Sequence, residues 1–125
     1  MTENEIASVV FHCAQEVHRH LGPGLFESAY EKCLAYELTQ YGLKVERQVE
    51  VPLNYKGVYI DCGFRADIIV EDKVIIELKA VVEMLPLFSQ QVLTYLKITD
   101  LKLGLLINFN TEYIGKDAKR IVNNL

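Results

Sequence analysis

The stretch that decides the fold is FRADIIVEDKVIIELKA, at residues 64–80. Two apolar runs flank its polar tripeptide Glu71–Lys73, and such runs are typical of strands that are covered on both faces. The sequence therefore predicts a tight hairpin. If the tripeptide forms the loop, Val70 faces Val74 and each further pair keeps the same index sum, so Asp67 lies opposite Glu77.

Two carboxylates that face each other on neighbouring strands repel, and the sheet needs something to compensate. A divalent cation between Asp67 and Glu77 would do so, and Lys79 projects from the same face because it lies two residues beyond Glu77. A metal or catalytic site is one interpretation of this pattern. A structural cluster of ion pairs, or the solvated face of an edge hairpin, is the other, and the pattern alone leaves both open.

The spacing of apolar residues predicts the other elements. Periods of three and four predict helices over residues 3–20, 25–41, 85–98 and 115–124. Alternating or continuous apolar residues predict strands over residues 44–53, 55–60 and 102–109, in addition to the two hairpin strands. The predicted order is α, α, β, β, β, β, α, β, α, with no repeat or linker. We therefore expect a single α/β domain over residues 1–125, in which helices flank a mixed central sheet.

Composition limits the class of protein. The chain has 125 residues, half of them hydrophobic, and a formal net charge of −4, which fits one globular domain. No apolar run approaches the roughly 18 residues that span a bilayer, and the N-terminal MTENE lacks the features of a signal peptide. We expect no membrane partner and a cytoplasmic location. The widely spaced Cys13, Cys33 and Cys62 are expected to be reduced, structural thiols.

Two stretches resemble a known family. Asp67, followed by Glu77-Leu78-Lys79 after an apolar strand, resembles the PD-(D/E)xK nuclease signature. The more specific stretch is GLFESAY at residues 24–30, which resembles the GxxExxY motif of a family of small bacterial proteins placed in that superfamily. Similar stretches at residues 34–38, 63–67, 77–80, 91–95 and 104–109 extend the resemblance over nearly the whole chain. It implies a restriction-endonuclease-like fold with an α-β-β-β-α-β core, preceded here by an extra N-terminal helix.

The resemblance also implies roles for individual residues. It implies that Asp67 and Glu77 bind Mg²⁺ or Mn²⁺ and that Lys79 orients or activates the attacking water. Glu27 would add a third carboxylate from its helix. The plain alternative for Glu27 is stabilisation of the first turn of that helix by its charge.

Four further positions complete the comparison with the family. Gln91 matches a glutamine often found in related nucleases, and it needs a hydrogen-bond partner if it is buried. Tyr30 is expected to pack in the core. The chain departs from many relatives at Phe88, where they often have histidine, and at Ala66, where proline often precedes the acid.

Arg65 is a candidate substrate-binding residue. The hairpin register places it opposite Lys79, and two facing cations repel unless an anion lies between them. A scissile phosphate would be such an anion. The alternative is that Arg65 points outward and pairs with a surface acid, and both interpretations stay open.

The resemblance implies metal-dependent hydrolysis of phosphodiester bonds in nucleic acid. The acidic net charge argues against a broad phosphate-binding surface, but the −4 becomes −1 once Glu27, Asp67 and Glu77 are set aside. The alternative function is a catalytically silent, nuclease-like module for interaction or oligomerisation. Copies of the chain would then pair through an edge strand such as Val45–Val51, which makes a homo-oligomer a second candidate assembly.

Overall fold

The computed structural model describes all 125 residues as one five-stranded mixed sheet with three helices. The elements are α1 (Glu3–Leu21), α2 (Glu27–Gln40), β1 (Val45–Tyr55), β2 (Val58–Val70), β3 (Val74–Lys79), α3 (Pro86–Thr99), β4 (Leu103–Asn108), a 3₁₀ turn (Ile114–Lys116) and β5 (Lys119–Val122). The expected α/β architecture with a mixed central sheet is confirmed.

The strands lie in the sheet in chain order, and only the β3–β4 pair is parallel. Helix α3 makes the crossover that this parallel pair requires. The predicted hairpin register is confirmed, because Val70 pairs with Val74 and Ile68 with Ile76. Strand β1 lies at one edge of the sheet, where a proline is tolerated, and its pairing with β2 shifts register around Pro52.

Both faces of the sheet are covered. Ile76 packs in the larger core beneath α1 and α2, whereas its neighbour Ile75 packs beneath α3, as alternation along a strand requires. Gly104 in β4 lets α3 approach closely, since an added Cβ would overlap the side chain of Val92. The apolar residues of the hairpin are therefore buried from both sides, and the polar residues that follow them are held on a rigid frame.

The predicted helix over residues 115–124 is wrong. That segment forms a 3₁₀ turn and then β5, which pairs antiparallel with β4. The side-chain amide of Asn123 donates to the carbonyls of Leu96 and Leu101 and fixes the end of the strand. Pairing with the otherwise bare edge of β4 satisfies its main-chain groups, and this tertiary contact outweighs local helical spacing.

The strands predicted over residues 55–60 and 64–70 are one continuous strand, β2. Gly57 lies in the turn before this strand, with a φ of 83° and its N–H donating to the Asn54 side chain. Gly63 does not break the strand. It allows close packing instead, since a Cβ there would lie 2.6 Å from the Cβ of Leu53.

No helix of the structure is both long and apolar enough to cross a membrane. All three cysteines are free thiols, as expected. Cys13 is buried in the larger core, and this burial raises the pKa of its thiol to about 11, so it is unreactive at neutral pH.

Candidate active site

The acids Asp67 and Glu77 lie where β2 and β3 separate. The regular β2–β3 ladder ends at the pair Ile68–Ile76, and each acid is the next residue beyond that pair, on the side away from the loop. Beyond that pair, the carboxylate side chains accept hydrogen bonds from main-chain N–H groups of the neighbouring strand. The Leu78 N–H donates to Asp67 Oδ2 at 2.9 Å, and the Asp67 N–H donates to Glu77 Oε1 at 3.3 Å. The structure thus brings both carboxylates to the end of the hairpin, as the register predicted.

Burial makes these two carboxylates hard to ionise together. It is the largest cause that raises the pKa of Glu77 to about 8, and the neighbouring charge of Asp67 is the second. Burial also raises the pKa of Asp67, although the N–H of Leu78 partly offsets it. At neutral pH the pair therefore retains a proton unless a cation takes its place.

Glu27, the first residue of α2, lies within electrostatic reach of this pair. Burial raises the pKa of its carboxyl, the charge of Lys79 lowers it, and the charge of Asp67 raises it again. Glu27 is exposed to solvent, as a helix-capping residue would also be. The charges that act on its carboxyl nevertheless place it beside Asp67 and Lys79, at the outer side of the cluster.

Lys79 is the cation of the cluster, and an aromatic ring supports it. Its Nζ lies 4.3 Å from the centre of the Phe88 ring, a cation–π contact with the first turn of α3. Phe88 thus contacts the lysine at the position where related proteins often have histidine. Gln91, one turn further along α3, is exposed and bonds to no other side chain, so it does not need the buried partner considered above.

Arg65 lies away from Lys79. Its guanidinium donates to the Glu50 carboxylate at 3.3 Å across the β1–β2 ladder, and both side chains are more than half exposed. The expectation that Arg65 faces Lys79 is wrong, because β2 and β3 stop pairing at Ile68. Its substrate-binding role stays a prediction.

The Gly-to-Tyr stretch at residues 24–30 builds the support for Glu27. Gly24 has a φ of 103°, a conformation that favours glycine. The buried Tyr30 hydroxyl donates to the Gly22 carbonyl at 2.6 Å and accepts from the Leu25 N–H at 3.1 Å, while its ring stacks on Phe109. Tyr30 packs in the core, as expected, and it fixes the loop that starts α2.

Three other polar residues complete the surroundings of the site, and the sequence analysis did not single them out for it. Glu31 is buried one turn after Glu27. Tyr95 stacks on Phe64 at 3.9 Å between ring centres, and burial followed by the charges of Glu77 and Asp67 raises the pKa of its hydroxyl. Asn108 is the polar end of an apolar strand.

Asn108 fixes the segment that follows Lys79. Its side-chain carbonyl accepts from the Val81 N–H, and its amide donates to the Val81 carbonyl, both at 3.0 Å. The parallel register pairs Asn108 with Lys79. Two sequence signals could have identified these residues. Asn108 is a polar residue at the end of an apolar strand, and Glu31 follows Glu27 by four residues on one helix.

Comparison with known proteins agrees with this geometry. A family model described as the PD-(D/E)XK nuclease superfamily matches residues 4–121. The chain belongs to the PD-(D/E)XK nuclease superfamily. Among solved structures, the crystal structure of SSO0001 has a TM-score of 0.51 and 18% sequence identity, and the match covers 96% of this chain and 79% of that one. That likeness concerns the fold alone. No curated protein matches the chain.

Membership of the PD-(D/E)XK superfamily indicates a nuclease, and nucleases of this superfamily generally depend on a divalent metal. As the side chains stand, no three acidic, histidine or cysteine residues are grouped to hold a metal ion. The Asp67 and Glu77 carboxylates are instead turned toward main-chain N–H groups, so binding requires at least one to turn. The donor set is chemically suitable, because carboxylate oxygens suit Mg²⁺ and Mn²⁺.

The cavities of the surface lie elsewhere. The groove between α1 and α2 is lined by residues such as Val17, Cys33 and Tyr36, and no cavity includes Asp67, Glu77 or Lys79.

Proposed function

We propose that this protein is a divalent-metal-dependent nuclease that hydrolyses phosphodiester bonds of nucleic acid, with Asp67 and Glu77 as its metal ligands. One observation carries the proposal. The buried carboxylate of Glu77 and the half-buried carboxylate of Asp67, both with raised pKa values, lie together at the end of one hairpin, beside Lys79, in a chain of the PD-(D/E)XK superfamily. A fold gains no stability from such a pair, whereas a bound cation removes its repulsion.

The residues around the pair have distinct roles in this proposal. Glu27 is a third ligand, or holds a metal-bound water, from the start of α2. When bound, Mg²⁺ or Mn²⁺ would polarise a phosphoryl oxygen and lower the pKa of a water. Lys79, held over Phe88, positions that water. Gln91 on α3 and Arg65 on β2 are proposed to contact the substrate.

Finer features of the assignment are also proposals. The GxxExxY family is supported by the stretch at residues 24–30, in which Gly24 and Tyr30 position Glu27. A cytoplasmic location and a homo-oligomer formed through β1 stay predictions. The silent-module alternative requires that the acids bind no metal, so the same experiments decide between the two functions.

A cleavage assay tests the proposal. The parent protein, Asp67→Asn and Glu112→Gln are incubated with labelled single- and double-stranded DNA and RNA, in Mn²⁺ or in EDTA. Glu112 is an exposed acid that forms no ion pair, so it is the matched control. We expect cleavage only in Mn²⁺, by the parent and by Glu112→Gln. Equal cleavage by Asp67→Asn, or cleavage in EDTA, would contradict the proposal.

A further inference from the structure

Strand β1 is kinked opposite the site. Gln48 has a φ of 51°, a left-handed conformation that is uncommon for a residue other than glycine inside a strand. The ladder pairs Arg47 with Ile68 and Val49 with Ala66, which leaves Gln48 opposite Asp67 without a pair. Such a conformation is energetically unfavourable and is concentrated at functional sites.

The kink changes where two side chains point. Consecutive residues of a regular strand project to opposite faces. Here Arg47 and Gln48 both reach the buried carboxylate of Glu31. Arg47 Nε donates to Oε2 at 3.1 Å, its Nη2 lies 2.9 Å from the same oxygen in an ion pair, and the Gln48 amide donates to Oε1. The strain at Gln48 therefore brings two neighbouring donors onto one acid.

That acid belongs to the surroundings of the site. The charge of Glu31 acts on both Asp67 and Glu27. A buried carboxylate near two others adds repulsion, and the guanidinium of Arg47 compensates it. The arrangement fixes a cation beside the acidic cluster, although the net charge of the chain is negative.

Glu31 does not use all the N–H donors of the Arg47 guanidinium. A guanidinium has five N–H donors, and Glu31 contacts only two of its three nitrogens. The side chain of Arg47 is 38% exposed, whereas that of Glu31 is 6% exposed. The buried side of the guanidinium is thus anchored, and its other side faces solvent at the edge strand.

We infer that Arg47 binds a backbone phosphate of the nucleic-acid substrate and that Glu31 and Gln48 are its positioning residues. This inference rests on the proposed function and adds the residue that places the strand against the acids. A planar guanidinium that is already oriented forms paired hydrogen bonds to phosphate, with less loss of side-chain freedom than a mobile lysine. Arg65, with a single contact to an exposed glutamate, lacks this anchoring.

The test measures oligonucleotide binding by fluorescence anisotropy between 50 and 200 mM salt, with every protein carrying Glu77→Gln to prevent cleavage. Arg47→Met is compared with Arg120→Met, an arginine on the opposite edge strand, β5. We expect Arg47→Met to bind about tenfold more weakly and to lower the slope of log K against log salt by about one. Arg120→Met should change neither.

A purely structural role of Arg47 would lower thermal stability but leave the salt slope unchanged, and that result would overturn the inference. Arg47→Lys retains the charge, so it should keep the salt slope of the parent background while losing part of the affinity. If the slope of Arg47→Lys falls as it does in Arg47→Met, the inference about Arg47 is also overturned. The proposed function is judged separately, from cleavage by the parent protein. If the parent cleaves and Arg47→Met binds as tightly as its Glu77→Gln background, only the role of Arg47 is wrong.

Discussion

Replacing Glu77 by glutamine should change how the stability of the metal-free protein depends on pH. The carboxyl of Glu77 has a pKa of about 8 in the folded chain, against an ordinary value of 4.5. Between these values the folded state retains a proton that the unfolded state has released, so the free energy of unfolding falls by about 1.4 kcal/mol per pH unit. The stabilisation is complete below pH 4.5 and is lost as the pH rises to about 8, a total of roughly 5 kcal/mol.

Urea denaturation in EDTA between pH 5 and pH 8.5 measures this effect. The free energy of unfolding should fall across that range in the parent protein and in Glu112→Gln. It should fall much less in Glu77→Gln, because an amide carries no proton to release, and the variant should be the more stable protein at pH 8. Parallel curves for the parent and Glu77→Gln would refute the reasoning, because the titrating group would then lie elsewhere.

Four other substitutions test the site and its support. Glu27→Gln should weaken Mn²⁺ binding about tenfold in a calorimetric titration; an unchanged affinity would leave Glu27 as a helix-capping residue only. Lys79→Ala should lower the rate of Mn²⁺-dependent cleavage by about 100-fold or more. Arg65→Ala should weaken substrate binding. If Arg65→Ala cleaves like the parent, Arg65 is a surface residue without a role in binding. Tyr30→Phe should lower the free energy of unfolding by about 1 to 2 kcal/mol, because it leaves the Gly22 carbonyl and the Leu25 N–H without their partner. The exposed Tyr36→Phe is its control, and equal stability of the two variants would contradict that account.

The hairpin could be predicted from the sequence because its signals are local. Two apolar runs around a three-residue loop fix the register, so the neighbouring positions of Asp67 and Glu77 follow by counting residues. The same counting fails for Arg65. Beyond Ile68 the strand leaves β3 and pairs only with β1, and nothing in the local pattern marks where two strands separate.

Tertiary contacts decided the remaining differences. Residues 119–122 form a strand because β4 offers an unpaired edge, and a window of sequence does not contain that partner. The contact between Lys79 and Phe88 joins a strand to a helix, and Glu31 meets Arg47 and Gln48 only because β1 is kinked. The acids of the site were predictable from the pattern, but the groups that position them depend on the packing of distant segments.

Calorimetric titration with Mn²⁺ tests most directly whether Asp67 and Glu77 form a metal site. At pH 7 the parent protein should bind Mn²⁺ and release about one proton, since Glu77 is protonated in the metal-free chain and ligands bind a metal in their deprotonated form. Repeating the titration in buffers of different ionisation enthalpy measures that proton. Asp67→Asn should bind much more weakly, and Glu112→Gln should bind like the parent. No binding by the parent, or equal binding by Asp67→Asn, would contradict the assignment.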